Sequence, residues 1–286
     1  MKSQREEGAD VCALHALRLK VSRAALLAAL LAWAGPAGAQ ADRGNDPPDV
    51  TTPVIRPLTS DQVQDTTESA VTFGAETDVA SGYAWNGILV TGKPVVQPSA
   101  WVSFSGFTFA GWFNIPTSDS PPETDLDITF NHTWGTLTIA PEIETYFERT
   151  QTDSDDRNTT EASVDISQRL GELSLFTSHT FDVGAHRGAY VGTAGVGREV
   201  RLAVRSKVAA AAWFGWASSK FNEVNIGVRE PAVNFIGAQL ALTYALSPHA
   251  YLRPHLDCSD VLHQRFRALL DRPTIVIWGL STGLEF

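Results

Sequence analysis

Apolar and polar residues alternate with a period of two through most of the chain after Ser69. Between Leu137 and Glu148, alternate positions carry the apolar residues Leu137, Ile139, Pro141, Ile143 and Phe147, and the positions between them carry mostly Thr and Glu. Successive side chains of a β-strand point to opposite faces, so sustained alternation predicts strands with one apolar and one polar face. This pattern constrains the chain to an all-β fold.

The alternating segments predict twelve strands. They cover approximately residues 70–80, 95–105, 107–116, 124–135, 137–149, 159–169, 173–183, 188–199, 202–217, 233–246, 249–260 and 274–286. The eighth segment has the weakest pattern because Gly192, Gly195 and Gly197 interrupt the alternation. None of these segments is a run of about 18 apolar residues, the length that a membrane-spanning helix requires.

The connections between these strands alternate in length. Two-residue turn signals occur at Ser105-Gly106, Gly135-Thr136, Gly171-Glu172 and Ser247-Pro248, and longer polar connections lie near 82–94, 117–123, 150–158, 218–232 and 261–273. This alternation is typical of an outer-membrane barrel, in which periplasmic turns are short and extracellular loops are longer. The predicted fold class is therefore all-β, a transmembrane antiparallel β-barrel of about twelve strands with both ends in the periplasm.

The alternative is a soluble β-sandwich or lipocalin-like barrel, with an apolar interior and polar outer faces. Aromatic residues favour the membrane barrel because many fall near predicted strand ends, where an interfacial girdle would lie. These are Trp85, Trp134, Trp216, Phe147, Tyr190, Tyr244 and Tyr251. The last strand ends at Phe286, and a terminal Phe on an amphipathic strand resembles the assembly signal read by the barrel-insertion machinery.

The N-terminal segment predicts export. A partly basic stretch precedes the apolar core Ala24–Ala34, and small residues then lead to Ala39. This organisation is typical of a secretory signal peptide cleaved after Ala39, with Ala41 as the alternative. We expect a signal peptide over residues 1–39 and the barrel over 68–286. Between them, residues 40–67 form a flexible periplasmic segment, since their Asp-, Pro-, Thr- and Gln-rich composition cannot bury a core.

Composition excludes other classes of protein. The chain has two cysteines and a formal net charge of -10. Two cysteines are too few for a disulfide framework or a Cys-rich metal site. The acidic balance argues against a phosphate-binding surface, so nucleic acid is not an expected partner.

Residues 80–114 read ASGYAWNGILVTGKPVVQPSAWVSFSGFTFAGWFN. They resemble the opening of a family of proteobacterial outer-membrane porins, the TorF-like type, with its Tyr-x-Trp-x-Gly, Pro-Val-x-Gln-Pro-Ser and Gly-Phe-x-x-x-x-Trp-x-Asn motifs. The matching residues are Tyr83, Trp85, Gly87, Pro94, Val95, Gln97, Pro98, Ser99, Gly106, Phe107, Trp112 and Asn114. A basic residue usually precedes the first glycine, whereas this chain has Asn86, so no role of that charge carries over. The resemblance implies a barrel fold and an outer-membrane location, and it implies no substrate.

The sequence gives little support for catalysis. Outer-membrane phospholipases use a Ser–His pair, and outer-membrane proteases use Asp and His at the rim. Ser178 and His179 are neighbours on one predicted strand and point to opposite faces, so they cannot pair directly. His255 and Asp257 share one face, which is expected of polar side chains in a lumen. No metal-ligand spacing or phosphate loop occurs, so we expect no catalytic residues, no metal and no cofactor.

The polar faces of the strands carry an excess of carboxylates. The predicted inward set is Glu76, Asp78, Asp125, Asp127, Glu142, Glu144, Glu148, Glu161, Asp165, Asp182 and Glu285, opposed by Arg169, Arg205, Lys207 and Arg253. The candidate pore-lining residues are Glu142, Glu144, Glu148, Asp125, Asp127, Glu161, Asp165, Arg169 and Arg253. An acidic lumen would favour cations. The alternative is a closed interior in which the carboxylates pair with Arg and Lys.

The expected function is passive diffusion of small solutes through a channel that prefers cations and is surrounded by outer-membrane lipid. A structural or adhesive barrel without an open pore is the alternative, and a barrel enzyme is the third. Glu142 and Glu144 are expected to contribute most to selectivity because they lie mid-strand, with same-face neighbours about 7 Å apart. The solute and the oligomeric state do not follow from the sequence.

Overall fold

The computed structural model describes residues 71–148 and 158–286. Its elements, in chain order, are β1 (Thr72–Ala80), β2 (Tyr83–Trp85), β3 (Ile88–Thr91), β4 (Val95–Phe104), β5 (Phe107–Pro116), β6 (Glu123–Phe130), β7 (His132–Trp134), β8 (Leu137–Glu148), β9 (Thr159–Leu170), β10 (Leu173–Asp182), β11 (Tyr190–Ala203), β12 (Ser206–Ala217), α1 (Ser219–Ile226), β13 (Ala232–Ser247), β14 (Ala250–Val261), α2 (Gln264–Arg267) and β15 (Thr274–Glu285). No helix in the described ranges is long and apolar enough to cross a membrane. The predicted signal peptide, residues 1–39, and the predicted flexible segment, residues 40–67, lie outside the described residues.

Within the described ranges, the strands close into one antiparallel barrel of twelve. β7 continues the course of β6, and the β2–β3 hairpin is a separate sheet. The barrel closes where β1 pairs with β15, in a register that runs from Gly74 opposite Glu285 to Ala80 opposite Gly279. A closed wall has no free strand edge, so its backbone groups are hydrogen-bonded without water, as hydrocarbon requires.

The two ends of the barrel domain meet at this seam. The backbone N–H of Phe73 donates to the carbonyl of Phe286 at 3.0 Å, and the N–H of Phe286 donates to the carbonyl of Phe73 at 2.9 Å. The two rings stack with their centroids 5.6 Å apart. The terminal Phe286 is therefore part of the closing strand pair.

The predicted fold class and number of strands are confirmed. Short turns alternate with longer connections around the barrel, and the predicted two-residue turns at Ser105-Gly106, Gly135-Thr136 and Gly171-Glu172 lie between consecutive strands. The fourth turn is Pro248-His249, one residue later than the predicted Ser247-Pro248, because β13 includes Ser247. Phe286 and the start of β1 lie at the same end of the barrel as these turns, because they pair there.

The boundary between β11 and β12 was predicted wrongly. The sequence pattern placed the connection near residues 200–201, whereas β11 continues to Ala203 and the turn is Val204-Arg205. The strand pairing is irregular between Arg201 and Ala203, which shifts the alternation by one position. Arg205, predicted to face inward, consequently lies in a turn at the rim, next to a Val204 side chain that is 91% exposed.

The outer surface of the barrel is apolar. Its exposed side chains include Phe73, Val102, Phe109, Phe113, Leu126, Ile128, Ile143, Leu175, Val196, Phe214, Leu240, Leu242, Leu256, Val276, Trp278 and Leu280. The inward positions between them are largely polar and buried, and include Asp78, Gln97, Asn114, Asp125, Asp127, Thr129, Glu161, Ser167, Thr193, Arg253 and Ser281. A water-soluble barrel has the reverse arrangement, so this surface is that of a barrel surrounded by lipid.

Two residues of the predicted aromatic girdle lie inside the barrel. Trp134 and Tyr244 are exposed on the outer surface, 58% and 45%, as expected of girdle residues. Tyr251 is only 1% exposed and donates a hydrogen bond from its hydroxyl group to Glu76 in the interior. Trp85 belongs to the β2–β3 hairpin. Both residues lie near the ends of alternating segments, so the sequence pattern alone did not separate them from the girdle.

The connection between β1 and β4 contains the β2–β3 hairpin. Its turn is Asn86-Gly87, and both residues have positive φ, 48° and 78°. Positive φ at both central positions defines a type I′ turn, the two-residue connection that best matches the twist of a hairpin. The sequence pattern predicts only a longer polar connection over residues 82–94, so it does not predict this hairpin.

The hairpin lies inside the barrel. The ring of Tyr83 is 5.5 Å from that of Trp112, and it also packs with Ile275 and Ile277. Trp112, Ile275 and Ile277 are buried at inward positions of β5 and β15, next to exposed outward neighbours. On the other side, the ring of Trp85 lies 5.4 Å from Phe221 of α1. The hairpin therefore folds into the end of the lumen where the longer connections are.

Substitution of Gly87 tests this packing. A Cβ added at Gly87 would lie 2.6 Å from Cγ of Phe235, at a φ of +78°. Gly135 is a matched control because its φ is +64° and a Cβ there would meet nothing within 4 Å. We expect Gly135→Ala to cost about 1 kcal/mol through backbone strain alone, and Gly87→Ala about 1–3 kcal/mol more through overpacking.

The measurement is the temperature at which the folded barrel converts to the unfolded form in gel electrophoresis. Equal losses in the two variants would contradict the contact between the hairpin and Phe235.

Candidate functional site

Four carboxylates occupy opposed inward positions on four neighbouring strands. Asp127 of β6 is paired with Glu144 of β8, and Glu144 is paired with Glu161 of β9. Glu161 is in turn paired with Asp182 of β10. Opposed residues on paired strands have Cβ atoms about 5 Å apart, and like charges at such positions destabilise a sheet. We call Asp127, Glu144, Glu161 and Asp182 the acidic row.

Hydroxyl groups donate hydrogen bonds to the carboxylates in and beside the acidic row. The hydroxyl oxygen of Tyr146 is 2.7 Å from Oε2 of Glu144 and 3.1 Å from Oε2 of Glu161, so it donates to one of them at a time. Thr159 donates to Oδ2 of Asp182 at 2.6 Å. These contacts orient the carboxylates of Glu144, Glu161 and Asp182.

A cavity opens inside the barrel against the acidic row, and we call it the acidic cavity. Its wall is formed by Asp127, Glu142, Glu144, Tyr146, Glu161, Ser163, Asp165, Ser178, Thr180, Val191 and Thr193. Trp85 and Asn86, at the tip of the β2–β3 hairpin, line it from the lumen side. Among the described residues that line it there is no Lys, Arg or His. The cavity therefore presents five carboxylates to any solute that enters it.

A second cavity lies on the other side of the hairpin tip, and we call it the histidine cavity. Asp78, His255 and Asp257 line it, together with Trp213 and Phe235. Nε2 of His255 is 3.0 Å from Oδ1 of Asp78, and its Nδ1 is 2.6 Å from Oδ2 of Asp257. Here both carboxylates contact a ring nitrogen of His255.

The tip of the hairpin separates the two cavities. Asn86 lines both of them. The hairpin tip therefore borders both cavities.

A buried ion pair crosses the seam side of the lumen. Arg253 contacts Oε2 of Glu76 at 2.5 Å, and both side chains are 4% exposed. Tyr251 donates to the same carboxylate oxygen. Glu76 and Arg253, both predicted to face inward, therefore form a closed polar contact in the wall between β1 and β14.

The other predicted inward residues lie at several levels of the lumen. Asp125 is 1% exposed and is paired with Tyr146 across β6 and β8. Arg169 lies at the second-last position of β9, beside the short turn, and is outside the acidic cavity. Lys207 is 3.3 Å from Glu199. Glu148 ends β8, and its side chain is outside the described part of the structure.

The histidines show why geometry, rather than proximity in sequence, decides which groups meet. Ser178 lines the acidic cavity, while the neighbouring His179 is bonded through Nδ1 to the hydroxyl of Tyr190 at 2.9 Å. Successive strand residues point to opposite faces, and the ring nitrogens of His179 are bonded to Thr177 and Tyr190. His255 and Asp257 do share a face. In residues 71–148 and 158–286, no group of three or more His, Cys, Asp or Glu is placed to hold a metal ion.

Trp85 and Asn86 are residues of the site that the alternating pattern does not predict. Asn86-Gly87 is a strong hairpin signal because Asn and Gly tolerate the positive φ that a type I′ turn requires. Alternating apolar residues flank it on both sides, Tyr83 and Trp85 before it and Ile88 after it. The signal was therefore present in residues 83–88.

The closed wall, the apolar outer surface and the polar lumen together define a transmembrane β-barrel protein. No protein-family model matches the chain, and no curated protein matches it. The comparisons do not confirm the resemblance of residues 80–114 to the TorF-like porins.

Solved barrel structures are similar to the chain. One is the KdgM porin in complex with disordered oligogalacturonate, with a TM-score of 0.48 and 9% identity over 75% of this chain and 99% of that chain. Another is the NanC porin, with a TM-score of 0.48 and 11% identity over 74% of this chain and 98% of that chain. A third is an outer membrane channel from Pseudomonas putida F1, with a TM-score of 0.45 and 9% identity over 76% of this chain and 96% of that chain.

Removal of Arg253 tests the buried ion pair. In Arg253→Met, Glu76 loses its guanidinium partner in the wall, and we expect a loss of about 3–5 kcal/mol in the free energy of unfolding. The control is Arg229→Met, since Arg229 is 3.6 Å from Glu223 and the two side chains are 75% and 47% exposed. Exposed pairs contribute about 0–1 kcal/mol.

Urea unfolding of both variants in the same lipid gives the two free energies. A loss in Arg253→Met as small as that in Arg229→Met would mean that water reaches Glu76.

Proposed function

We propose that this protein is an outer-membrane β-barrel channel through which small solutes diffuse passively, with a preference for cations. The observation that carries the proposal is the acidic row, four carboxylates in direct register on the inner wall. The residues on either side of it that line the cavity add Glu142 and Asp165. The candidate pore-lining residues Glu142, Glu144, Glu161, Asp127 and Asp165 thus belong to one negatively charged surface.

Carboxylates that lie close together repel one another. Two ionised carboxylates about 5 Å apart repel by about 3 kcal/mol at an effective dielectric constant of about 20. Carboxylates this close attract cations, which screen their repulsion, and a cavity with walls of low dielectric constant concentrates such cations. Anions meet the same field with the opposite sign.

The location follows from the same features. The apolar outer surface requires lipid, and among bacterial membranes the outer membrane is the one that contains barrels of this kind. We propose that residues 1–39 direct export, that residues 40–67 remain in the periplasm, and that residues 68–286 are inserted as the barrel. Phe286, which ends the closing strand, is the proposed contact with the barrel-insertion machinery. The relation to TorF-like porins, carried by residues 80–114, is part of the same proposal.

A structural or adhesive barrel without an open pore is the second candidate. The packing of the β2–β3 hairpin inside the lumen favours it, because Tyr83, Trp85 and Gly87 contact the wall on several sides. Conductance across a planar lipid bilayer distinguishes the two candidates. Steady channels support the porin, and a folded barrel that never conducts supports the structural role.

Charge reversal in the acidic cavity tests cation preference. The variant Glu142→Lys with Glu144→Lys replaces two carboxylates of one strand by ammonium groups. We expect the ratio of cation to anion permeability to fall, because the field in the cavity changes sign near these positions. The measurement is the reversal potential in a salt gradient.

The control carries the same change of charge at two exposed positions. Glu223→Lys with Glu230→Lys alters two residues of the connection that contains α1, whose side chains are 47% and 40% exposed. Its reversal potential should stay close to that of the wild type, since exposed charges are screened by salt. If the lumen variant folds, conducts and keeps the wild-type reversal potential, the acidic cavity does not determine selectivity.

Replacement of the hairpin tests whether it narrows the lumen. Residues 83–91 exchanged for a Gly-Ser linker of the same length lose the contacts of Tyr83 and Trp85 with the wall. We expect a higher single-channel conductance, because a Gly-Ser chain has no apolar side chains to hold it in the lumen. The control is the same exchange at residues 117–122, a connection that lines neither cavity. An unchanged conductance in the hairpin variant would place the narrowest point elsewhere.

A further inference from the structure

A buried hydroxyl in the acidic cavity lacks a partner. Thr193 of β11 is 3% exposed and lines the cavity. Its Oγ1 has no hydrogen-bond partner among the described residues. A buried hydroxyl without a partner costs free energy, whereas most buried polar groups in folded proteins are bonded. The position is therefore suited to a hydrogen-bonding group that arrives with a solute.

The opposite side of the cavity is aromatic. Trp85 projects from the hairpin and lines the cavity, and its ring is held by Phe221 at 5.4 Å. The type I′ turn at Asn86-Gly87 fixes the backbone beside it. Val191 adds a second apolar side chain to the lining. A hydrated inorganic cation would not pack on this aromatic surface, whereas a planar organic group would.

We propose that the acidic cavity is a binding site for organic cations, in which an ammonium or guanidinium group contacts the carboxylates and Thr193 while an aromatic or apolar body packs on Trp85. This proposal rests on the cation-preferring channel proposed above and names its class of solute. An ammonium group has three N–H donors and a guanidinium group has five. Glu144, Glu161 and the Thr193 hydroxyl provide acceptors for several of them.

The lining of the cavity argues against anionic, zwitterionic and neutral aromatic solutes. An anionic or zwitterionic solute would bring a carboxylate or phosphate into a cavity whose described lining contains no basic residue. A neutral aromatic solute would pack on Trp85 and leave the carboxylates as they are. Only a cation with an organic body uses both sides of the cavity.

The test compares three probes that separate the contribution of the positive charge from that of the aromatic ring. Benzylammonium has the charge and the ring, methylammonium has the charge alone, and benzyl alcohol has the ring alone. Each is added to the wild-type barrel in a planar bilayer with KCl, and the concentration that blocks half of the current is measured. Benzylammonium should block at a concentration about tenfold or more below that of either other probe, since the two contacts act together.

Three variants assign the contacts. Trp85→Leu should raise the half-blocking concentration of benzylammonium by about fivefold and leave that of methylammonium unchanged. Thr193→Val, which preserves the shape, should raise both by about fivefold. Glu144→Gln with Glu161→Gln should raise both by about tenfold or more. Trp134→Leu, on the outer surface, is the control and should change neither.

The outcomes separate this proposal from the channel itself. A barrel that conducts and prefers potassium to chloride, but is blocked equally by benzylammonium and methylammonium, keeps the channel and overturns the binding site. A barrel that does not conduct overturns the channel, and isothermal titration calorimetry of the detergent-solubilised protein with the same three probes then decides the binding site. If Trp85→Leu does not fold, an unaltered benzylammonium block in Thr193→Val overturns the proposal by itself.

Discussion

Hydrocarbon offers no hydrogen-bond partners, so every backbone N–H and C=O group of a membrane-spanning strand must pair with a neighbouring strand. The pairing of β1 with β15 meets this requirement by closing the wall. Closure also fixes two faces for every strand, one against lipid and one against the lumen. The polar residues of the alternating pattern must then face inward. The polar lining of the lumen is therefore a direct consequence of how the backbone is hydrogen-bonded.

The two sides of the lumen differ in the groups that contact their buried carboxylates. On the seam side, Glu76 is paired with Arg253, and Asp78 contacts His255. On the opposite side, the hydroxyl groups of Tyr146 and Thr159 donate hydrogen bonds to Glu144 and Asp182 of the acidic row. The carboxylates that contact Arg253 and His255 therefore lie on a different arc of the barrel from the acidic row. The hairpin tip at Asn86 lies between them.

The alternation of side chains was sufficient to predict the barrel, because a period of two reflects the geometry of each strand alone. It failed at Val204, where an apolar residue at a turn continues the pattern, and at Trp85, where an aromatic residue belongs to a hairpin in the lumen. The inward direction of the carboxylates was also predictable. Their alignment into the acidic row was not, since a slip of one residue in any strand pair changes which residues are opposed. Asn86-Gly87 carried a local hairpin signal, but its place inside the barrel depends on contacts with Trp112 and Ile275, which are distant in sequence.

The position of the hairpin also bears on the order of assembly. It follows the first strand of the barrel, yet Tyr83 packs against Ile275 and Ile277 of the last one. These contacts join residues almost a whole domain apart in sequence, and contacts of such high separation form late because a long loop must close first. The hairpin consequently has no complete packing surface until β15 has docked on β1. Closure of the wall and packing of the hairpin in the lumen then become a single cooperative step. Before β15 pairs with β1, the hairpin is not packed inside the barrel.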